Sequence, residues 1–118
     1  MAIGTHRVVV GAHYGLRDWL TQRATAVVLL VYLLVLTVRI LFAGRMDYDA
    51  WASTFVPLGM KIATLIALVA LAYHAWIGMR DIWMDYVWAT GVRLVLQLGT
   101  ILWLIACLVW AVQILWKV

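Results

Sequence analysis

The sequence predicts an all-α membrane protein in which three transmembrane helices take up most of the chain. Hydrophobic residues fill 68% of the 118 positions and charged residues only 12%, well outside the usage of soluble domains. Three long apolar stretches follow one another, each near or above the about 20 residues that a helix needs to cross a bilayer. Glu and Asn are absent and Pro occurs once. Little chain remains for a soluble domain. Residues 1–118 are therefore expected to form a single membrane-anchor domain, with a surface segment at 1–23 and spans at about 24–43, 56–83 and 92–115.

The surface segment carries His6, Arg7, His13, Arg17, Asp18 and Arg23, too many polar groups to lie in lipid. The apolar run behind it is too long for the core of a signal peptide, so no cleaved leader is expected. His13, Arg17, Asp18 and Trp19 read as surface or partner contacts. The first span is rich in Val and Leu, and Arg39 lies near enough to its end to snorkel. Gly44, Arg45, Met46, Asp47, Tyr48 and Asp49 then form a short polar loop. Pro57 suits the first turn of the second span, where Lys61 can also reach the surface. Arg93 and Lys117 bound the third.

Arg7, Arg17, Arg23, Arg80 and Arg93 fall on one side of this arrangement, against Arg39, Arg45, Lys61 and Lys117 on the other. That asymmetry favours a cytoplasmic N-terminus and a C-terminus across the membrane, on the periplasmic side. The net charge of +4 is spread singly over span ends, which fits topology and not nucleic-acid binding. Of eight tryptophans, Trp19, Trp51, Trp83, Trp88, Trp110 and Trp116 fall near span ends, as an interfacial belt does. Trp76 and Trp103 lie deeper and are expected to pack on a neighbouring helix or a cofactor edge. The single cysteine, Cys107, excludes a disulfide within the chain and reads as a small core residue.

Ala63, Ala67, Ala70, His74 and Gly78, followed by Asp81 and Asp85, recur in steps of three or four along the second span. The alanines read as close helix packing, because small residues let backbones approach within lipid. His74 differs, since an ionisable group at that depth is a functional candidate. It suits either a hydrogen bond to a neighbouring helix or ligation of haem iron, and Gly78 one turn on would leave room for a flat macrocycle. A second axial imidazole would have to come from another polypeptide, either a second copy or a different protein, because no other histidine lies in a span.

Asp85 stands eleven residues from His74, roughly 16 Å along the same helix face. With Tyr86 it forms a pair suited to a quinone headgroup, a hydroxyl to donate to a carbonyl and a carboxylate beside it for protons. The same pair also occurs as an ordinary solvated helix end, as do Arg80 and Asp81. Arg23, at the entrance of the first span, can anchor the helix or fork onto a haem propionate.

These residues carry a resemblance. Arg23-Ala24-Thr25-Ala26, His74-Ala75-Trp76-Ile77-Gly78-Met79 and Asp85-Tyr86 closely resemble the small hydrophobic membrane anchors of bacterial succinate dehydrogenase, the respiratory succinate:ubiquinone oxidoreductase (respiratory complex II). The likeness extends over nearly the whole chain, with the stretch from His74 to Tyr86 its specific part. It implies a complex of four kinds of subunit linking the tricarboxylic acid cycle to electron transport in the bacterial inner membrane. A flavoprotein with FAD oxidises succinate there, and an iron-sulfur protein passes electrons on. This anchor and a second membrane anchor pack into one helical bundle that holds haem b and ubiquinone. The resemblance makes His74 a haem axial ligand, with the other from the second anchor, and sets Arg23 at the haem propionates. Tyr86 would hydrogen-bond ubiquinone with Asp85 beside it.

Three other readings compete. A fumarate reductase anchor runs the same chemistry mainly in reverse and can lack haem, against which His74 argues. A small multidrug transporter calls for a carboxylate within the membrane, and no span holds one at depth. A purely structural anchor would tolerate replacement of His74 and Tyr86.

Overall fold

A computed structural model describes the backbone over residues 10–118 and the side chains over residues 15–118; the side chain of His13 falls outside that range. Helix α1 spans Val10–Ala43, α2 Tyr48–Thr54, α3 Leu58–Tyr86 and α4 Thr90–Lys117, with no strand among the described residues. Three of the helices are long and apolar enough to cross a membrane, over Gly15–Ala43, Leu58–Tyr86 and Thr90–Lys117. The protein is thus all-α with three candidate spans.

Helix α1 is 34 residues long, about 51 Å at 1.5 Å per residue and well beyond the hydrocarbon core of roughly 30 Å. Residues 15–23 continue the first span without a break. Their polarity ends the hydrophobic run, but Leu16, Arg17, Gln22 and Arg23 are good helix formers and nothing there stops a helix. Gly44 does stop it, adopting a φ of 70° just past the last helical residue, the left-handed conformation that closes helix C-termini.

The loop after Gly44 holds a short helix that hydropathy does not reveal. Asp47 caps α2 by accepting a hydrogen bond from the Ala50 backbone N–H at 2.9 Å, and Arg45 Nε donates to the same carboxylate at 3.1 Å. Both contacts favour the ionised form and hold the Asp47 carboxyl below the usual range, the Ala50 bond most strongly. Trp51 and Phe55 meet edge to face with centroids 5.0 Å apart. Pro57, expected within the first helical turn, is the N-cap of α3.

Helix α3 lies between α1 and α4 and packs on both. Cross-helix contacts set the direction: Asp18, Thr25 and Tyr32 along α1 meet Arg80, His74 and Thr64 in turn along α3, so the two helices are antiparallel. Trp83 on Thr100, with Lys61 on the Val118 carbonyl, gives the same relation between α3 and α4. Ala67 and Ala70 are buried in these contacts together with Met60, Thr64 and Ile77, so the small-residue stripe packs helices as expected. No described side chain is fully enclosed. Each helix turns much of its surface outward. Trp103, expected to pack on a neighbouring helix or a cofactor edge, is 71% exposed, because among the described residues α4 shares an extensive contact with α3 alone. Cys107 is likewise exposed and not a core residue.

Candidate functional site

The α1–α3 interface carries its ionisable side chains on the half toward the C-terminus of α3, with the Tyr32–Thr64 hydrogen bond on the other half. His74 is half-buried there, and its Nδ1 lies 3.1 Å from Thr25 Oγ1. Thr25 Oγ1 is also 2.8 Å from the Thr21 carbonyl, one turn back on its own helix, and 3.1 Å from that of Gln22. His74 Nε2 makes no hydrogen bond among the described residues. Of the two roles the sequence leaves open, the interhelical hydrogen bond is therefore present at one ring nitrogen, and the other nitrogen stays available.

Gly78 faces α1 as well. A β-carbon there would sit 3.8 Å from Gln22 Nε2, an ordinary contact, so the Gln22 side chain of α1 faces Gly78. Two residues further on, Arg80 pairs with Asp18 across the interface, with side chains 26% and 32% exposed. This replaces the reading of Arg80 as a solvated helix end, and gives Asp18, read as a surface or partner contact, a partner within the chain. The continuous α1 carries Asp18 to the level of Arg80. Gln22 Oε1 and Arg80 Nε are buried there with no hydrogen-bond partner among the described residues.

Arg23 is exposed, with its guanidinium 5.6 Å from the centre of the Trp19 ring. It precedes Thr25 by two residues, about 200° around the helix, and so projects away from the face that meets His74. With Asp18, Gln22, Ile77 and Asp81 it lines a cleft of about 330 Å³. Asp85 and Tyr86 end α3 as exposed residues, Tyr86 being 76% accessible. Within this chain neither touches His74. Three sites thus lie in sequence along one helical pair: the imidazole, the charged cleft, and the open carboxylate and phenol.

This donor set selects among cofactors. Among the described residues no three His, Cys, Asp or Glu side chains gather closely enough to hold a bare metal ion, which needs about four protein ligands in a structural site. One imidazole with an available nitrogen fits instead the axial position of a metal already carried by a macrocycle. Thr25 is the contact of His74 that the sequence conceals: it stands there inside a motif without a role of its own. Its only signal is a hydroxyl four places after Thr21 at the edge of an apolar run. The pairing with His74 depends on a register between two helices, which spacing within one helix does not contain.

Over residues 1–113 the chain matches the family described as succinate dehydrogenase/fumarate reductase transmembrane subunits. It is also similar to the succinate dehydrogenase hydrophobic membrane anchor subunit of Coxiella burnetii (strain RSA 493 / Nine Mile phase I), with 40% identity over 102 residues, 86% of this chain and 89% of that relative. Together with three apolar helices, these likenesses show a multi-pass membrane anchor that works among other subunits: the chain belongs to the succinate dehydrogenase/fumarate reductase transmembrane subunit family.

Proposed function

We propose that this anchor ligates haem b through His74 and forms part of the ubiquinone-reduction site of a succinate dehydrogenase, in a bacterial inner membrane with its N-terminus cytoplasmic. The observation that carries the reading is the half-buried His74, tied to α1 by Nδ1 and open at Nε2. A second membrane anchor would supply a further ligand to the haem. The iron-sulfur protein passes on electrons that the flavoprotein takes from succinate.

Haem bound here would hold and return single electrons beside the quinone site. The chain's own residues position and polarise. His74 would offer its Nε2 to the haem iron. Arg23 offers a guanidinium fork for a propionate, although it lies off the His74 face and would have to reach around α1 or across to a group extending from the interface. Tyr86 donates a hydrogen bond to a quinone carbonyl, and Asp85 beside it handles protons arriving from the aqueous side. Reduction of the quinone to the quinol consumes two electrons and two protons. The exposure of both side chains supports a site completed by other subunits.

In the assembled complex, Tyr86→Phe should lower succinate:quinone turnover about tenfold, the size of one lost hydrogen bond, with the b-type absorbance intact. His74→Ala should remove that absorbance. Unchanged turnover and unchanged absorbance in the two variants would refute the site assignments and leave a purely structural anchor.

A further inference from the structure

Three threonines join the helices of this protein in one recurring way. Thr100 donates its hydroxyl to the Leu96 carbonyl four residues back at 2.8 Å and accepts from Trp83 Nε1 at 2.9 Å. An indole N–H only donates, so the direction there is fixed. Thr64 bonds the Met60 carbonyl at 2.7 Å and meets Tyr32 Oη at 2.7 Å. With its single proton on Met60, it accepts from the tyrosine. Thr25 repeats the pattern, on the Thr21 carbonyl and on His74 Nδ1.

We propose that Thr25 is the positioning residue for His74: its hydroxyl proton is committed to the Thr21 carbonyl, so its oxygen accepts the Nδ1–H. The imidazole is then held in the tautomer whose Nε2 lone pair is free to bind a metal. A ligating histidine is commonly fixed by such an acceptor at its other nitrogen, which sets the ring's orientation and raises its basicity. Here the acceptor comes from a different helix, so the ligand's orientation is coupled to the packing of α1 on α3. The inference rests on the proposed role of His74 as an axial ligand.

The test uses the whole complex carrying Thr25→Val, Thr25→Ser or Tyr32→Phe, with haem content and haem midpoint potential as readouts. Loss of the acceptor makes Nε2 a weaker donor to the oxidised iron. Thr25→Val should retain haem about tenfold less tightly and titrate at a higher midpoint. A tenfold change in the reduced-to-oxidised ratio corresponds to about 59 mV for one electron. Thr25→Ser should restore both values. Tyr32→Phe removes the analogous interhelical bond away from His74 and should change neither. Should the valine variant not assemble, Thr25→Ala takes its place in the comparison. Wild-type haem content and midpoint without the hydroxyl, or an equal shift in Tyr32→Phe, would overturn the inference. Haem kept by His74→Ala would instead refute the ligand assignment beneath it.

Discussion

At the scale of single residues, the contact with the largest expected effect on stability is Asp18 with Arg80, an ion pair joining α1 to α3. Partial burial places it between an exposed pair, worth about 0.2–1 kcal/mol, and a buried one, whose disruption costs about 3–5 kcal/mol. Arg80→Ala leaves a half-buried carboxylate unpaired and should destabilise by about 1–3 kcal/mol. Asp18→Ala/Arg80→Ala should cost less than the sum of the two single changes. Thermal unfolding of the detergent-solubilised complex in a double-mutant cycle checks this, and strict additivity would show that the two groups do not interact. The pair also marks what sequence left hidden. Asp18 and Arg80 are separated by 62 positions, and neither has a periodic signal that points to the other. His74, Asp85 and Tyr86 stood out because ionisable and polar groups are rare in and beside apolar spans. Thr25 did not, because a lone threonine in a helix is usually satisfied by its own backbone.

At the scale of elements, hydrophobic runs made the three spans legible, since lipid requires each backbone to satisfy its own hydrogen bonds and so to be helical. The run lengths did not show where each helix ends. Helix α1 extends through polar residues because propensity, not hydropathy, governs it outside the bilayer. Helix α2, with 7 residues, is too short for a periodic signal and depends on its cap. The lowered pKa of Asp47 gives that cap a pH dependence. A depressed carboxyl contributes stability in full above its unfolded value, about 3.9, and loses it as pH falls through the lower folded value. The protection factor of the Ala50 amide, its exchange measured against the intrinsic rate at the same pH, should therefore fall on acidification through that window in the wild type. Asp47→Asn, whose amide oxygen can still cap, should flatten this dependence near the cap. Equal acid sensitivity in both proteins would show that another group controls α2.

At the scale of the whole molecule, one thin layer of helices brings a histidine, a charged cleft and an open Asp-Tyr pair to successive levels of the α1–α3 pair, and turns the remaining surface outward. Such a layer fits a membrane anchor that works among other subunits, the family to which the chain belongs. The partners' contributions were not legible from this sequence, since the second imidazole and the quinone's other walls would belong to different chains. The central claim is the role of His74. Its most direct test is the reduced-minus-oxidised absorption spectrum of the purified complex with wild-type anchor and with His74→Ala. A b-type haem signal is expected in the first and its loss in the second, with the flavoprotein, the iron-sulfur protein and the second anchor co-purifying in both. An undiminished haem signal in the variant would contradict it.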